Sequence, residues 1–217
     1  MLDSLLHKGR RKQLLASLLS KFDFNTLVID AMDKVPRHMF VECGLDHLAY
    51  LDRPLPIGVK QTISQPYTVA MQSHLLSLKV NKFDKVLEIG TGCAYQTAVL
   101  SEMGYRVFSV ERQKALYMLG QKNLVRLEYH SPLLFYGDGF AGLPKFAPFK
   151  GILITCGAPE IPQELLKQLS IGGRMVIPLG QETQKMVVID RISKTEFEQT
   201  EHGQYKFVPM LEGVEDK

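Results

Sequence analysis

The spacing of apolar residues changes character about a third of the way along the chain. Before residue 80 the apolar residues recur at helical spacing. The first two stripes are Leu14, Leu15, Leu18 and Leu19, then Val28, Ala31 and Met32. The second predicted helix ends at Val35, because Pro36 forces the residue before it out of helical geometry. This part of the chain is therefore expected to be mostly helix and turn.

A proline-rich stretch precedes a third predicted helix. Residues 50–60 contain Pro54, Pro56 and Gly58, and this composition predicts a loop. The segment Ser64-Gln65-Pro66 then favours a helix start, with Ser64 as N-cap and Pro66 in the first turn.

From residue 84, short strand-like runs alternate with helical stretches. Strands are predicted over 86–89, 106–110, 133–136, 151–154 and 175–177. Helices are predicted over 97–103, 115–124 and 161–169, the last closed by Gly172-Gly173. This alternation is typical of an α/β fold with a doubly wound, mostly parallel sheet covered on both faces. Two later runs, 186–192 and 205–208, predict strands that pair antiparallel.

Length and composition indicate one globular domain. We expect residues 1–217 to form a single domain with a helical part (1–80), a ligand-binding core (84–180) and C-terminal strands with a tail (181–217). The net charge of +3 is too balanced to indicate a nucleic acid or an anionic membrane as partner. The basic run 8–12 is a solvated helix face, a frayed terminus or a partner contact. Without a membrane span or signal peptide, a cytoplasmic monomer is expected.

Cysteines and histidines argue against a disulfide framework and a metal site. The three cysteines, Cys43, Cys93 and Cys156, are sparse and fit a reducing compartment. The six histidines show no metal-ligand spacing, so no metal is expected. Because no histidine lies near Cys93 in sequence, packing is favoured over nucleophilic catalysis for this thiol.

Candidate ligand chemistry begins at the glycine loop Gly90-Thr91-Gly92, which follows a predicted strand and precedes a helix. Glu111 lies about twenty positions further on, at the end of the next strand, where a carboxylate accepts hydrogen bonds from ribose hydroxyls. Tyr95 stands where a dinucleotide fingerprint has its third glycine. Three interpretations of this loop are open: a tight turn, a nicotinamide or flavin site, and an adenosine site without pyrophosphate. The last is favoured, and S-adenosylmethionine is such a cofactor.

A second acidic position follows the third predicted strand, in Gly137-Asp138-Gly139. Asp138 either forms an Asx-turn or accepts the exocyclic amine of adenine. In the second case Gly139 allows the backbone to approach the ring.

Over most of its length the sequence resembles the protein-L-isoaspartate O-methyltransferases. The blocks that carry the resemblance are 35–41, 54–58, 61–67, 86–92, 95–98, 137–139, 158–162, 172–174 and 206–209. The Val-Pro-Arg-His block and the Thr-Ile-Ser-Gln-Pro block are specific to this family. The resemblance implies a Rossmann-like S-adenosylmethionine-dependent methyltransferase fold with a helical N-terminal extension and antiparallel C-terminal strands.

The resemblance also implies an activity and a set of site residues. The expected reaction is methyl transfer from S-adenosylmethionine to the α-carboxylate of L-isoaspartyl, and also D-aspartyl, residues in damaged proteins, which initiates their repair. The active-site hydroxyl maps to Ser64, which would orient the carboxylate or the cofactor; a helix cap alone is the alternative. The cofactor contacts map to Thr62, Ile63, Ser64, Gly90, Thr91, Gly92, Cys93, Glu111, Arg112, Asp138 and Gly139.

Two positions depart from the family pattern. Lys60 stands where the family usually has glycine, and Ala94 replaces a small flexible residue in the cofactor loop. Lys60 either points to solvent or holds a substrate carboxylate or an acidic flanking residue. Another S-adenosylmethionine-dependent carboxyl methyltransferase and a non-catalytic isoaspartyl-recognising paralogue remain alternative functions. The tail segment Phe207-Val208-Pro209 favours an extended peptide as acceptor.

Overall fold

A computed structural model describes residues 3–216, and its N-terminal part is helical as predicted. Helix α1 is Leu5–Leu19 and helix α2 is Thr26–Lys34, followed by 3₁₀ turns at Arg37–Met39 and Asp46–Leu48. Helix α2 is capped by Asn25, whose side chain accepts from the Leu27 N–H. It ends before the extended Val35, as the following proline predicts.

A small hairpin lies inside and just after the predicted 50–60 loop. Strand β1 (Leu55–Pro56) pairs antiparallel with β2 (Thr62–Ile63). Helix α3 (Pro66–Ser77) begins three residues after β2, with Pro66 in its first turn as predicted. The hairpin therefore presents Ser64 in the short connection between a strand and a helix start.

Over residues 3–216 the central sheet has seven strands, and it confirms the predicted fold class. In chain order these are β3 (Lys85–Ile89), β4 (Arg106–Glu111), β5 (Leu133–Tyr136), β6 (Phe149–Ile154), β7 (Leu169–Leu179), β8 (Gln184–Arg191) and β9 (Phe197–Tyr205). Their spatial order is β5-β4-β3-β6-β7-β8-β9. The strands from β3 to β7 pair in parallel, and β8 and β9 add antiparallel. The chain order reverses beside β3, which is where open α/β sheets bind ligands.

The inner strands of the sheet are buried on both faces, but the two faces are covered differently. Neighbouring residues along β3 join different apolar clusters, Val86 on one face and Leu87 on the other. The Val86 face is packed by α1 to α3, α4 (Tyr95–Glu102) and α5 (Lys114–Arg126). The Leu87 face is packed by α6 (Gln163–Gln168) and by loop residues such as Phe146. Continuous apolar strands are the expected result of such double burial.

The helix predicted over 161–169 is shorter than expected, and its proposed glycine stop is wrong. Leu169 already begins β7, and Gly172 and Gly173 lie inside that strand. A Cβ on Gly173 would lie 2.8 Å from the Lys150 carbonyl oxygen, so this glycine allows two strands to approach closely. The pairing of β6 with β7 shifts register at the same place. A strand glycine at an irregularity was thus mistaken for a helix terminator.

The last strand was placed too late in the sequence. The prediction of 205–208 is wrong, because β9 is Phe197–Tyr205. This strand lies at the edge of the sheet beside β8 and is largely exposed, so it lacks the apolar alternation that predicts strands. The antiparallel pairing itself is confirmed. Beyond β9 the chain leaves the sheet, and the Val208 carbonyl accepts from the Gly157 N–H at 2.8 Å.

The basic run 8–12 is not uniformly solvated. Arg11 is buried on α1 and donates to Asp3, Asp33 and the Tyr50 hydroxyl. Lys8 and Lys12 are exposed. Among residues 3–216, no helix combines the length and the apolar character that crossing a membrane requires.

Candidate functional site

A cavity opens at the carboxyl ends of β3 and β4, and we call it the inner cavity. The space it bounds, counted out to the open solvent at its mouth, is about 840 Å³. Ten of the eleven predicted cofactor contacts border it: Thr62, Ile63, Ser64, Gly90, Thr91, Gly92, Cys93, Glu111, Arg112 and Gly139. Asp138 is the exception. The fold therefore brings segments 62–64, 90–93 and 111–112 to one place, while their roles toward a ligand stay predictions.

The glycine loop turns sharply between β3 and α4. Gly90 and Gly92 have left-handed φ angles of 95° and 54°. A Cβ on Gly90 would lie 2.5 Å from the Thr155 Oγ1, so only glycine fits there. Ala94 is also left-handed, with φ at 69°, and lies at the N-cap of α4. The departure at Ala94 therefore falls on a strained backbone position, where a Cβ costs about 1 kcal/mol.

Glu111 joins the end of β4 to the glycine loop. Its Oε2 accepts from the Gly92 N–H and its Oε1 from the Gln113 N–H, both at 2.9 Å. Burial raises the pKa of this carboxyl, and the backbone N–H groups oppose that rise. Each carboxylate oxygen keeps a lone pair for another donor. Glu111 can thus hold the loop and accept ligand hydroxyls at the same time.

A buried carboxyl beneath the loop was missed from the sequence. Glu88 Oε2 accepts from Thr97 Oγ1 at 2.5 Å and from Ser109 Oγ at 2.6 Å. The Ser109 hydroxyl also lies 2.6 Å from that of Thr91, which borders the inner cavity. Burial raises the pKa of Glu88 to about 7. The available signal was an acidic residue in the middle of an apolar strand.

Ser64 is not the cap of helix α3, and that prediction is wrong. The N-cap position is Gln65, whose side chain makes no capping bond. Asp52 supplies the cap from the preceding loop, because its Oδ1 accepts from the Tyr67 N–H at 2.8 Å. Within residues 3–216 the Ser64 hydroxyl makes no hydrogen bond. It borders the inner cavity and is available to a ligand.

Asp138 and Arg112 hold the end of the chain. Asp138 forms the Asx-turn considered above, with Oδ1 accepting from the Phe140 N–H at 2.9 Å. Its Oδ2 accepts from the Gly213 N–H at 3.0 Å. Arg112 donates to the Gly213 carbonyl and to the Glu215 carboxylate, each at 3.1 Å. We call residues 211–216 the C-terminal strap, since they lie fastened against the ends of β4 and β5.

Two thiols border the inner cavity. Burial raises the pKa of Cys93 to about 11 and that of Cys156 to about 12, so both are protonated at neutral pH. None of the described residues that line the cavity is a histidine. Packing therefore remains the better interpretation of Cys93. Sequence reasoning had not placed Cys156 here, nor its neighbour Thr155 at the end of β6.

A second depression, the outer groove, continues from the inner cavity. The space it bounds, counted out to the open solvent above it, is about 1790 Å³. It runs between α3 and the segment 202–208. Both spaces are bordered by Thr62, Ser64, Thr155 and Val208, which therefore mark their junction. Ser64 lies where the two spaces meet.

Lys60 lies on the turn that joins β1 to β2. Gly58, Val59 and Lys60 are all left-handed, with φ angles of 89°, 42° and 57°. Two of these residues carry side chains, and such strain often occurs at functional sites. Lys60 is exposed and does not border the inner cavity, although Ile57 and Gln61 on either side of the turn do.

One group of potential metal ligands occurs in the described part of the chain. Atoms of Asp3, His7 and His38 lie within 4.8 Å of one another. The Asp3 carboxylate is bound by Arg11 through both oxygens, at 3.2 and 3.0 Å, which neutralises its charge. None of the three borders the inner cavity.

Comparison with known proteins gives a consistent result. The sequence profile of the family described as protein-L-isoaspartate(D-aspartate) O-methyltransferase matches residues 10–215. The chain is 49% identical to the protein-L-isoaspartate O-methyltransferase of Flavobacterium johnsoniae, over 98% of this chain and 99% of the relative. It is 50% identical to that of Flavobacterium psychrophilum, with the same coverage.

Solved structures show the same fold. A protein-L-isoaspartate O-methyltransferase superposes with a TM-score of 0.83 at 26% identity, over 92% of this chain and 65% of that one. A putative enzyme of this name from Plasmodium falciparum, in complex with S-adenosyl-L-homocysteine, superposes with a TM-score of 0.82 at 22% identity, over 93% and 98%. The predicted enzyme class and its cofactor, S-adenosylmethionine, are confirmed by the family match. The chain belongs to the protein-L-isoaspartate(D-aspartate) O-methyltransferase family.

Proposed function

We propose that this chain methylates the α-carboxylate of L-isoaspartyl and D-aspartyl residues at the junction of the inner cavity and the outer groove. The main support for this proposal is that Ser64 borders both spaces and that its hydroxyl makes no hydrogen bond to the described residues. A cofactor in one space and a polypeptide in the other would meet there. The reaction starts the repair of damaged proteins.

The inner cavity fits S-adenosylmethionine better than a dinucleotide. When bound, this cofactor supplies a methyl group on a sulfonium. Glu111 would accept from the ribose hydroxyls, and the glycine loop would approach the amino-acid part. Gln96 borders the cavity with a buried Oε1 that has no partner among the described residues, which suits a hydroxyl or ammonium donor. Among the described residues, Arg112 is the only lysine or arginine on the cavity wall, and the strap engages it, so a pyrophosphate would lack a counter-charge.

The side chains present suit a transfer that needs no general base. A carboxylate acceptor is already ionised at neutral pH. The Ser64 hydroxyl can donate to one of its oxygens and so orient the other. The remaining contribution is positioning away from water, which supplies several kcal/mol and up to about 7–11 in favourable cases. The protonated thiols of Cys93 and Cys156 take no part in this scheme.

Labelled S-adenosylmethionine and paired peptides that differ only in Asp against isoAsp test the proposal. Base-labile label on the isoAsp peptide alone is expected. Ser64→Ala should reduce kcat/KM for that peptide by roughly 10- to 100-fold, the effect of losing a hydrogen bond to a charged group. Ser17→Ala, an exposed serine on α1, is the matched control and should change nothing.

The other outcomes point to the alternative functions. Equal labelling of both peptides would indicate a carboxyl methyltransferase of different specificity. Cofactor binding without transfer would indicate a non-catalytic isoaspartyl-binding protein. Label on neither peptide would contradict the proposal.

A further inference from the structure

The outer groove has an aromatic lining. The rings of Phe22, Tyr67, Tyr205 and Phe207 border it, together with the apolar Met71 and Leu75 of α3. Tyr205 and Phe207 approach each other with ring centroids 6.3 Å apart and planes inclined by 47°. Both residues are only partly buried where they pack against the core, and both line the groove, where another aromatic group could contact them.

The charges around the groove are one-sided. None of the described residues that line it carries a carboxylate, while the cation Lys206 lines one wall. Lys206 is exposed and forms no ion pair within residues 3–216. A flanking lysine or arginine would therefore meet like charge and no partner. An uncharged ring would meet apolar surface.

The groove is far larger than the acceptor group needs. An isoaspartyl carboxylate at Ser64 would occupy only the junction, and the neighbouring residues of its polypeptide would have to continue into the outer groove. The length of groove beyond Ser64 is bounded by α3 and by segment 202–208. Side chains adjacent to the damaged residue therefore meet the aromatic lining.

We infer that the outer groove is a specificity pocket for an aromatic or large apolar side chain within two residues of the isoaspartyl acceptor. This inference rests on the proposed function and adds the class of substrate sequence that is repaired fastest. Phe22 and Tyr67 form the wall on the helical side, and Tyr205 and Phe207 form the opposite wall.

Steady-state methylation of matched isoAsp peptides tests the inference. One set carries Phe, Ala, Asp or Lys two positions before the isoaspartyl residue, and a second set carries them two positions after it. In at least one set, the Phe peptide should show a kcat/KM roughly tenfold above the Ala peptide, from ring burial and ring–ring contact. The Lys peptide should be the poorest substrate.

Two variants test whether the preference for an aromatic side chain arises in the outer groove. Phe22 is 37% exposed at the rim of the groove, and Phe197 is 36% exposed elsewhere. Phe22→Ala should reduce the Phe-to-Ala preference in kcat/KM about threefold or more. Phe197→Ala should keep the full preference.

Equal kcat/KM for the Phe and Ala peptides in both sets would overturn the inference while leaving the proposed function intact. A preference for the Asp peptide over the Phe peptide would overturn it too, in favour of charge recognition by Lys206. Failure to methylate any isoAsp peptide would overturn the proposed function and this inference with it.

Discussion

Arg112 and Glu215 form an ion pair at the edge of the inner cavity, with Nη1 and Oε2 3.1 Å apart. Backbone bonds reinforce it, since the Glu215 N–H donates to the Arg112 carbonyl at 2.8 Å. The C-terminal strap is thereby attached to the end of β4, next to Glu111. Leu211, the first residue of the strap, itself borders the cavity. A cofactor in the cavity would be retained partly by this attachment.

Loosening the strap should weaken cofactor binding modestly. Because Glu215 is half exposed, the pair contributes at most about 1 kcal/mol. We expect Glu215→Gln to raise the Kd for S-adenosylmethionine roughly two- to fivefold in calorimetry at low salt. In 1 M NaCl the two proteins should bind alike, since salt screens the pair. Glu164→Gln, which breaks an exposed pair on α6, is the control. Equal Kd values at low salt would show that the strap does not retain the cofactor.

Glu111 should matter far more than Glu215. The Glu111→Gln substitution replaces one of the two acceptor oxygens by an NH₂ group, which faces a backbone donor. We expect cofactor binding to weaken roughly 10- to 100-fold, since hydrogen bonds to charged groups contribute about 1.5–3 kcal/mol.

The pH dependence of cofactor binding shows whether the negative charge of Glu111, and not only the shape of its side chain, contributes to affinity. Burial raises the pKa of the Glu111 carboxyl above its ordinary value. As the pH falls through that raised pKa, the carboxylate is protonated and loses acceptor capacity, so wild-type affinity should fall. The Glu111→Gln protein lacks this step. Calorimetric Kd values that rise in parallel for both proteins as the pH is lowered would contradict this role.

Much of this site could be foreseen, because strand ends and glycines leave local signals. Gly90, Gly92 and Glu111 follow apolar runs at fixed spacing, and the sheet brings them together. Features that depend on distant partners left no such signal. Asp52 caps α3 from fifteen residues upstream, and Gly213 engages Asp138 across 75 residues. The polar edge strand β9 was misplaced for the same reason, since its pairing with β8 replaces the missing apolar pattern.

Glu88 should make stability depend on pH in an unusual direction. Its pKa rises from 4.5 to about 7 on burial. Between these values the folded protein keeps a proton that the unfolded chain has released, so the free energy of unfolding falls as the pH rises. The expected loss is on the order of 3 kcal/mol. Urea unfolding at pH 4.5 to 8 measures it.

The Glu88→Gln protein carries no titrating group at this place. Its free energy of unfolding relative to wild type should therefore increase as the pH rises from 4.5 to 7 and stay constant above that. Glu182→Gln, at an exposed turn, should follow the wild-type curve. Parallel curves for wild type and Glu88→Gln would mean that Glu88 titrates normally.

Substitutions at Asp52 and Ser64 should have different effects. Loss of Asp52 should lower stability through the helix cap, whereas loss of Ser64 should affect catalysis and not stability. Asp52→Ala removes the acceptor for the Tyr67 N–H and the partner of Lys21, so we expect about 1 kcal/mol of destabilisation. Ser64→Ala removes a hydroxyl without a protein partner and should leave the free energy of unfolding within about 0.5 kcal/mol of wild type. Thermal unfolding of both variants measures the contrast. A large loss of stability in Ser64→Ala would return that residue to a structural role.

Replacing Lys60 by glycine tests two separate quantities, the stability of the protein and its KM for an isoaspartyl peptide. Its φ of 57° is a conformation that glycine adopts freely, so Lys60→Gly should relieve strain of about 1 kcal/mol, offset in part by the greater freedom of glycine when unfolded. Stability should therefore change little or rise slightly. If the ammonium also holds an acceptor carboxylate or an acidic flanking residue, KM for an isoaspartyl peptide should rise several-fold while the Kd for cofactor stays the same. Lys60→Arg keeps the charge and should retain the wild-type KM. An unchanged KM in Lys60→Gly would assign this side chain to solvent, and its turn would then influence the site only through the positions of Ile57 and Gln61.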